Sequence, residues 1–133
     1  MIAVDTNVII RFLVCDDKEQ ARMARQRFKL AESRRERLRI PLLVLLETIW
    51  VLESAYNRTR SEILDAIESL RQMPVFEFEA DRAVEGLLHD GPKYKADLAD
   101  ILIAQAAKVS GCGSGITFDK GAARLPFFEL LKC

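Results

Sequence analysis

The chain switches repeatedly between two periods. Short runs of strand type at residues 2–4, 38–40, 75–78 and 116–118, with a last one near 127–130, stand between stretches whose apolar residues recur at helical spacing. Strands that alternate with helices are joined by crossovers, and crossovers give a parallel sheet covered by helices on both faces. The expected fold is therefore α/β: a three-layer α/β/α sandwich with a mostly parallel central sheet. Helices are expected at 8–13, 18–35, 42–52, 62–72, 80–88 and 97–109. In the second of these, Ala21, Ala24, Phe28 and Ala31 share one side. Pro41 suits the start of the third, which is apolar nearly all round and so is expected to be buried. Ser61 is the expected cap of the fourth, and Met73-Pro74 and Gly91-Pro92 are breaks. With 133 residues, no repeat and no linker, residues 1–133 are expected to form one domain.

Composition removes several classes of function. Twenty Lys and Arg balance twenty Asp and Glu, so the chain cannot coat nucleic acid by bulk charge, and any basic surface must be local. The longest apolar run, about 41–49, contains Glu47 and falls short of the roughly 20 residues a bilayer requires. Asp5 arrives before a signal-peptide pattern can develop, so no membrane partner and a cytoplasmic location are expected. Cys15, Cys112 and Cys133 are odd in number and widely spaced, which favours free thiols over a disulfide framework or a zinc knuckle. His89 is the single histidine, beside a turn at Asp90-Gly91-Pro92, so a two-histidine metalloprotease helix is excluded. Any hydrolytic chemistry must be carried by oxygen.

The carboxylates are placed accordingly. In open parallel α/β sheets, ligands collect beyond the carboxyl ends of the strands. Asp5 follows the first strand run and Asp119 the fourth, although an acid there also serves as a helix cap. Glu47 is the only charge between Pro41 and Leu52; if buried, it needs a metal or an arginine partner. Asp97 and Asp100 lie three apart at a helix start, on one face, with Asp97 the better candidate for a cap. Two like charges about 4 Å apart repel by roughly 4 kcal/mol at an effective dielectric of 20, and a hard divalent cation relieves this. Oxygen ligands without histidine or thiolate point to Mg²⁺, with Mn²⁺ as a substitute, and hence to phosphodiester chemistry.

Val4-Asp5-Thr6-Asn7-Val8, Leu46-Glu47, Ala96-Asp97-Leu98-Ala99-Asp100-Ile101-Leu102-Ile103-Ala104 and Thr117-Phe118-Asp119, in that order, resemble the PIN domains, specifically VapC-type toxin ribonucleases. The resemblance spans nearly the whole chain. It implies a metal-dependent endoribonuclease, the toxin of a toxin–antitoxin pair, with Asp5, Glu47, Asp100 and Asp119 as catalytic and metal-binding acids. Asp97 would be an auxiliary fifth acid. Thr6, Asn7 and Thr117 fall where the family's hydrogen-bonding residues hold carboxylates and water. Asp5 and Asp100 would be the principal ligands, with Glu47 or Asp119 orienting or deprotonating the attacking water. A homodimer and a small antitoxin partner are further implications.

Arg22, Arg25, Arg27, Lys29, Arg34, Arg35, Arg37 and Arg39 are accompanied only by Glu32 and Glu36, eight charges against two, a local excess of six. The stretch is either a solvated helix face or an RNA-phosphate patch, with Arg34, Arg35 and Arg37 as the proposed contacts. The glycines at 111, 113 and 115 lack the lysine of a phosphate loop and precede a strand, so they read as a helix stop. Apolar residues at Ile9, Ile10, Phe12, Leu13, Trp50 and Leu52 mark a candidate interface. Two rivals remain: a non-enzymatic receiver-like signalling module, which would need adjacent acids after the first strand, and an inert PIN-like binding protein.

Overall fold

The computed structural model describes residues 1–132; Cys133, expected as a third free thiol, lies outside the described residues. The chain falls into two compact units, Met1–Glu79 and a second that begins at Ala80.

The first unit runs β1 (Ile2–Ala3), α1 (Thr6–Val14), α2 (Lys18–Ser33), β2 (Leu38–Ile40), α3 (Leu42–Ser54), α4 (Arg60–Arg71) and β3 (Phe76–Phe78). Its strands pair in the order β1-β2-β3, all parallel, with Ile2 opposite Leu38 and Leu38 opposite Phe76. Arg39 lies opposite Glu77, and its Nη2 donates to Glu77 Oε1 at 2.7 Å. The face of α2 expected from its spacing is the buried one: Ala21, Ala24, Phe28 and Ala31. Three alanines let α2 lie close to its neighbours, and Phe28 fills the space beyond them. Its ring meets Phe12 of α1 and Phe76 of β3 edge to face, each with centroids 5.0 Å apart, a geometry aromatic quadrupoles favour.

Two expectations are corrected here. Helix α3 is not buried all round: Leu45, Thr48, Ile49 and Leu52 face inward, whereas Leu43 is 77% and Trp50 66% exposed. Ser61 does not cap α4; Thr59 does, accepting from the Glu62 N–H while Glu62 Oε1 accepts from the Thr59 N–H in a reciprocal capping box. Asn57 just before it adopts a left-handed φ of 51°, a conformation Asn tolerates better than most residues. Pro41 begins α3 as expected but brings no side-chain acceptor, and Glu79 Oε1 takes the Leu42 N–H at 3.1 Å instead.

The second unit runs α5 (Asp81–Asp90), α6 (Leu98–Val109), β4 (Gly115–Thr117), a 3₁₀ turn (Ala122–Arg124) and β5 (Phe128–Leu130). Strands β4 and β5 are parallel, with Gly115 opposite Phe128. Every strand pair among the described residues is thus parallel, as strands alternating with helices require. Helices α5 and α6 pack closely at Gly86, where an added Cβ would stand 2.1 Å from Gln105 Oε1. Gln105 in turn donates to Asp90 Oδ2 at 2.7 Å. The glycine-rich stretch after α6 is the expected helix stop: Gly111 has φ 103°, and Cys112 N–H returns to the Ala107 carbonyl. Among the described residues no helix is long and apolar enough to cross a membrane.

The ring contacts and the exposed face of α3 give opposite expectations for truncation. Phe28→Ala should destabilise the protein by about 3–5 kcal/mol, whereas Leu43→Ala should stay within about 0.5 kcal/mol of the parent. Urea unfolding followed by circular dichroism checks both.

Candidate functional site

The first group of acids is built by the step from β1 into α1. The strand ends at Ala3, Val4 is buried, and Asp5 becomes the N-cap of α1 in extended conformation (φ −85°, ψ 161°). Asp5 Oδ1 accepts from the Thr6 N–H at 2.8 Å, so the capping role considered for Asp5 is real and occupies one carboxylate oxygen. The cap points Thr6 inward, where it is 6% exposed, and its hydroxyl donates to Glu47 Oε1 on α3. One buried threonine therefore sets two carboxylates: its backbone N–H takes Asp5 and its hydroxyl takes Glu47. Asp5, Thr6, Asn7 and Glu47 line one cleft of ≈ 380 Å³ together with Ile10, Arg11, Val51, Ala55 and Tyr56. Glu47 itself is exposed. The expectation that a buried Glu47 must find a metal or an arginine is therefore corrected, because water already solvates it; the cause is the same outward face of α3 that carries Leu43 and Trp50.

Arg11, Asp16 and Tyr56 at this cleft were not expected from sequence. Arg11 Nη1 donates to Asp16 Oδ1 and to the Tyr56 hydroxyl, both at 3.1 Å, and Arg11 Nε donates to Gln20 Oε1 at 2.8 Å. The Tyr56 hydroxyl donates to Asp16 Oδ2 at 2.7 Å. The Tyr56 hydrogen bond, followed by the charge of Arg11, holds the Asp16 carboxyl below its ordinary 3.8. Residues 45 positions apart meet here, a separation at which no local pattern signals contact.

The second group belongs to α6 and the loop after β4. Asp97 occupies the N-cap position of α6, but its side chain makes no capping hydrogen bond. The expected capping box of Asp97 with Asp100 is therefore absent, and the Asp97 carboxylate is not consumed by the helix end. Asp100, one turn later, is half-buried above Ile101, Leu102 and Ala104, which are all inside. Burial, then the charges of Asp119 and Asp97, push the Asp100 carboxyl above its ordinary value. Asp100 thus feels the negative charge of the two neighbouring acids. Asp119 sits in a tight turn: its N–H donates to Thr117 Oγ1 at 3.0 Å, and its Oδ1 accepts from the Gly121 N–H at 2.7 Å. Thr117, expected to hold a carboxylate or water, instead accepts the Asp119 backbone N–H.

The basic stretch is partly neutralised. Arg22 pairs with Glu19, Arg27 with Glu36 at 2.7 Å and Arg39 with Glu77 at 2.7 Å, while Arg37 Nη2 stands 3.9 Å from Glu77 Oε2. Of the three proposed phosphate contacts, Arg37 therefore shares an acid, and Arg34 and Arg35 are exposed at the end of α2. His89 makes a 2.7 Å contact with Lys93 on the last turn of α5 and the loop beyond. The candidate interface is also redrawn: Ile9, Ile10 and Leu52 are interior residues, 1%, 4% and 3% exposed, because they pack inside the first unit. Among the described residues, no group of three or more His, Cys, Asp or Glu side chains stands arranged to hold a metal ion.

The chain matches the family described as PIN domain over residues 2–128, and it belongs to that family. It is also 24% identical over 127 residues to a protein of Aquifex aeolicus (strain VF5) named VapC ribonuclease, a match that covers 96% of this chain and 93% of that one.

The Tyr56–Asp16 contact has a pH signature. A depressed carboxyl contributes stability that is present above its unfolded pKa and is lost as pH falls through the folded one. Tyr56→Phe should raise the Asp16 titration midpoint toward 3.8, read by NMR of the carboxyl carbon. The stability gap between the parent and this variant should narrow as the solution is acidified below that value.

Proposed function

We propose that this protein is a Mg²⁺-dependent endoribonuclease, served also by Mn²⁺, and that it is the toxin of a toxin–antitoxin pair. The observation that carries the reading is the family match over 2–128, which spans every acid at issue. The similarity to a VapC ribonuclease supports RNA as substrate and a small antitoxin as partner. On this reading residues 1–133 act as one PIN domain. Asp5, Glu47, Asp100 and Asp119 together hold the cation, with Asp97 auxiliary and Thr6, Asn7 and Thr117 positioning.

The donors suit a hard cation, being carboxylates and hydroxyls with neither thiolate nor imidazole among them. Burial first, and then the charges of Asp119 and Asp97, raise the Asp100 carboxyl, and a bound cation would favour its ionised form against both. When bound, the cation supplies positive charge against the phosphoryl oxygens and lowers the cost of removing a proton from water. The chain's residues do the rest. Glu47 Oε1 is taken by the Thr6 hydroxyl, which orients the carboxylate and leaves Oε2 to accept the proton of an attacking water. The short turn from Thr117 to Gly121 fixes the Asp119 carboxylate in direction.

A homodimer is part of the same reading, and Leu43 and Trp50 replace the interior Ile9, Ile10 and Leu52 as its candidate contacts because they are exposed on one helix. A cytoplasmic location fits exposed free cysteines at 15 and 112. The receiver-like alternative loses support, because α1 begins at Thr6 and no second acid adjoins Asp5.

Asp5→Asn and Asp100→Asn should each abolish Mg²⁺-dependent cleavage of total cellular RNA while leaving the circular dichroism spectrum unchanged. Retained cleavage in either purified variant overturns the ligand assignment. Thr6→Val should keep the fold but cut activity by about 10- to 100-fold, with Thr6→Ser restoring most of it, as measured by oligonucleotide cleavage rates.

A further inference from the structure

Arg11 belongs to two clefts at once. It lines the acidic cleft with Asp5, Asn7 and Glu47. It also lines a second cleft of ≈ 440 Å³, formed by Asn7, Val8, Gln20, Met23, Ala24 and Arg27. Asn7 and Arg11 line both, so the two clefts adjoin within the first unit. The guanidinium of Arg11 is not a loose surface charge. Asp16 and Tyr56 fix Nη1 and Gln20 fixes Nε, which sets the plane of the fork before any ligand arrives. A planar guanidinium held in this way recognises a phosphate by direction as well as by charge.

The second cleft contains an unsatisfied donor. Arg27 Nη2 is bonded to Glu36 Oε1, whereas Arg27 Nη1 is buried with no hydrogen-bond partner. A buried donor without an acceptor is costly, and an acceptor brought by a ligand satisfies it as the Arg27 side chain turns toward the cleft it lines. The remaining wall is apolar, with Met23 56% exposed beside Val8 and Ala24, a surface suited to the face of a base. Two arginines, an orphaned donor and the apolar side chains of Val8, Met23 and Ala24 stand beside the carboxylate cleft.

We propose that Arg11 binds a backbone phosphate of the RNA next to the bond that is cut, and that the cleft ending at Arg27 receives the flanking nucleotide. Asp16, Tyr56 and Gln20 act through Arg11 as positioning residues. The inference rests on the ribonuclease reading. It adds, beside the acidic centre, a substrate subsite that offers directed guanidinium donors, with the charges of Arg11 and Arg27 already balanced by Asp16 and Glu36.

The test uses the full chain and an oligoribonucleotide spanning a cleavage site mapped in cellular RNA. Single methylphosphonate linkages, which remove one backbone charge, are placed at each position around the cut. The parent should lose roughly 10- to 100-fold in kcat/KM at one linkage adjacent to the cut. Arg11→Ala should be slower on the native substrate but indifferent to that substitution, and Arg11→Lys should recover part of the discrimination. Tyr56→Phe should weaken the discrimination without removing it. Arg27→Gln should raise KM for the oligonucleotide carrying the flanking nucleotide, and should leave the one lacking it unaffected. Melting curves identify any variant that fails to fold, and Arg11→Lys and Tyr56→Phe keep the test decisive if Arg11→Ala does. If Arg11 variants discriminate against the methylphosphonate as the parent does, the subsite is refuted and the ribonuclease reading stands. If the parent cleaves no RNA with Mg²⁺ or Mn²⁺, both fall together.

Discussion

Strands of two or three residues share too few hydrogen bonds to hold a sheet, so in the first unit side chains must fasten what the backbone cannot. Phe28 does this from α2, its ring meeting Phe12 of α1 and Phe76 of β3 in T-shaped contacts. Around it, Ala21, Ala24 and Ala31 reduce α2 to a flat surface that its neighbours can approach. The register of β1, β2 and β3 then follows, with Ile2, Leu38 and Phe76 side by side. Everything at the strand ends inherits its position from that packing.

The acid-bearing turn at the end of β1 shows how local chemistry uses the inherited position. A parallel strand must hand its chain to a helix, and a helix start must satisfy free N–H groups. Asp5 does so at Thr6, and the same residue is left facing the cleft that Glu47 also lines. Structural and chemical roles therefore coincide in Asp5. In Asp97 they separate, since the N-cap position is filled without a side-chain bond, and the carboxylate adds to the field felt by Asp100.

Much of this was legible in the chain, and the failures have identifiable physical causes. The buried side of α2, the parallel pairing, the helix stop at Gly111 and the strand-end acids follow from spacing and turn chemistry. The burial of α3 did not, because an apolar composition does not say how many faces a neighbour covers; Leu43, Glu47 and Trp50 lie on the face left open. The cap at Thr59 was missed in favour of Ser61, two residues on, although Thr59 has Glu62 three positions ahead, the spacing a capping box requires. The arginine-rich stretch looked uniform, yet pairing with Glu36 and Glu77 is decided by strand register and helix end rather than by local charge count. The Arg11–Asp16–Tyr56 cluster depends on where α1 and α3 end, which no window of the sequence contains.

Gly86 bears on the second unit in another way. Because it has no side chain, Gln105 can lie across α5 and reach Asp90, which sets the spacing between α5 and the helix whose first turn bears Asp100. A methyl group at that position would lever the Gln105 side chain off α5 and undo its bond to Asp90. A position that carries no functional group therefore decides whether Gln105 keeps its hold on Asp90.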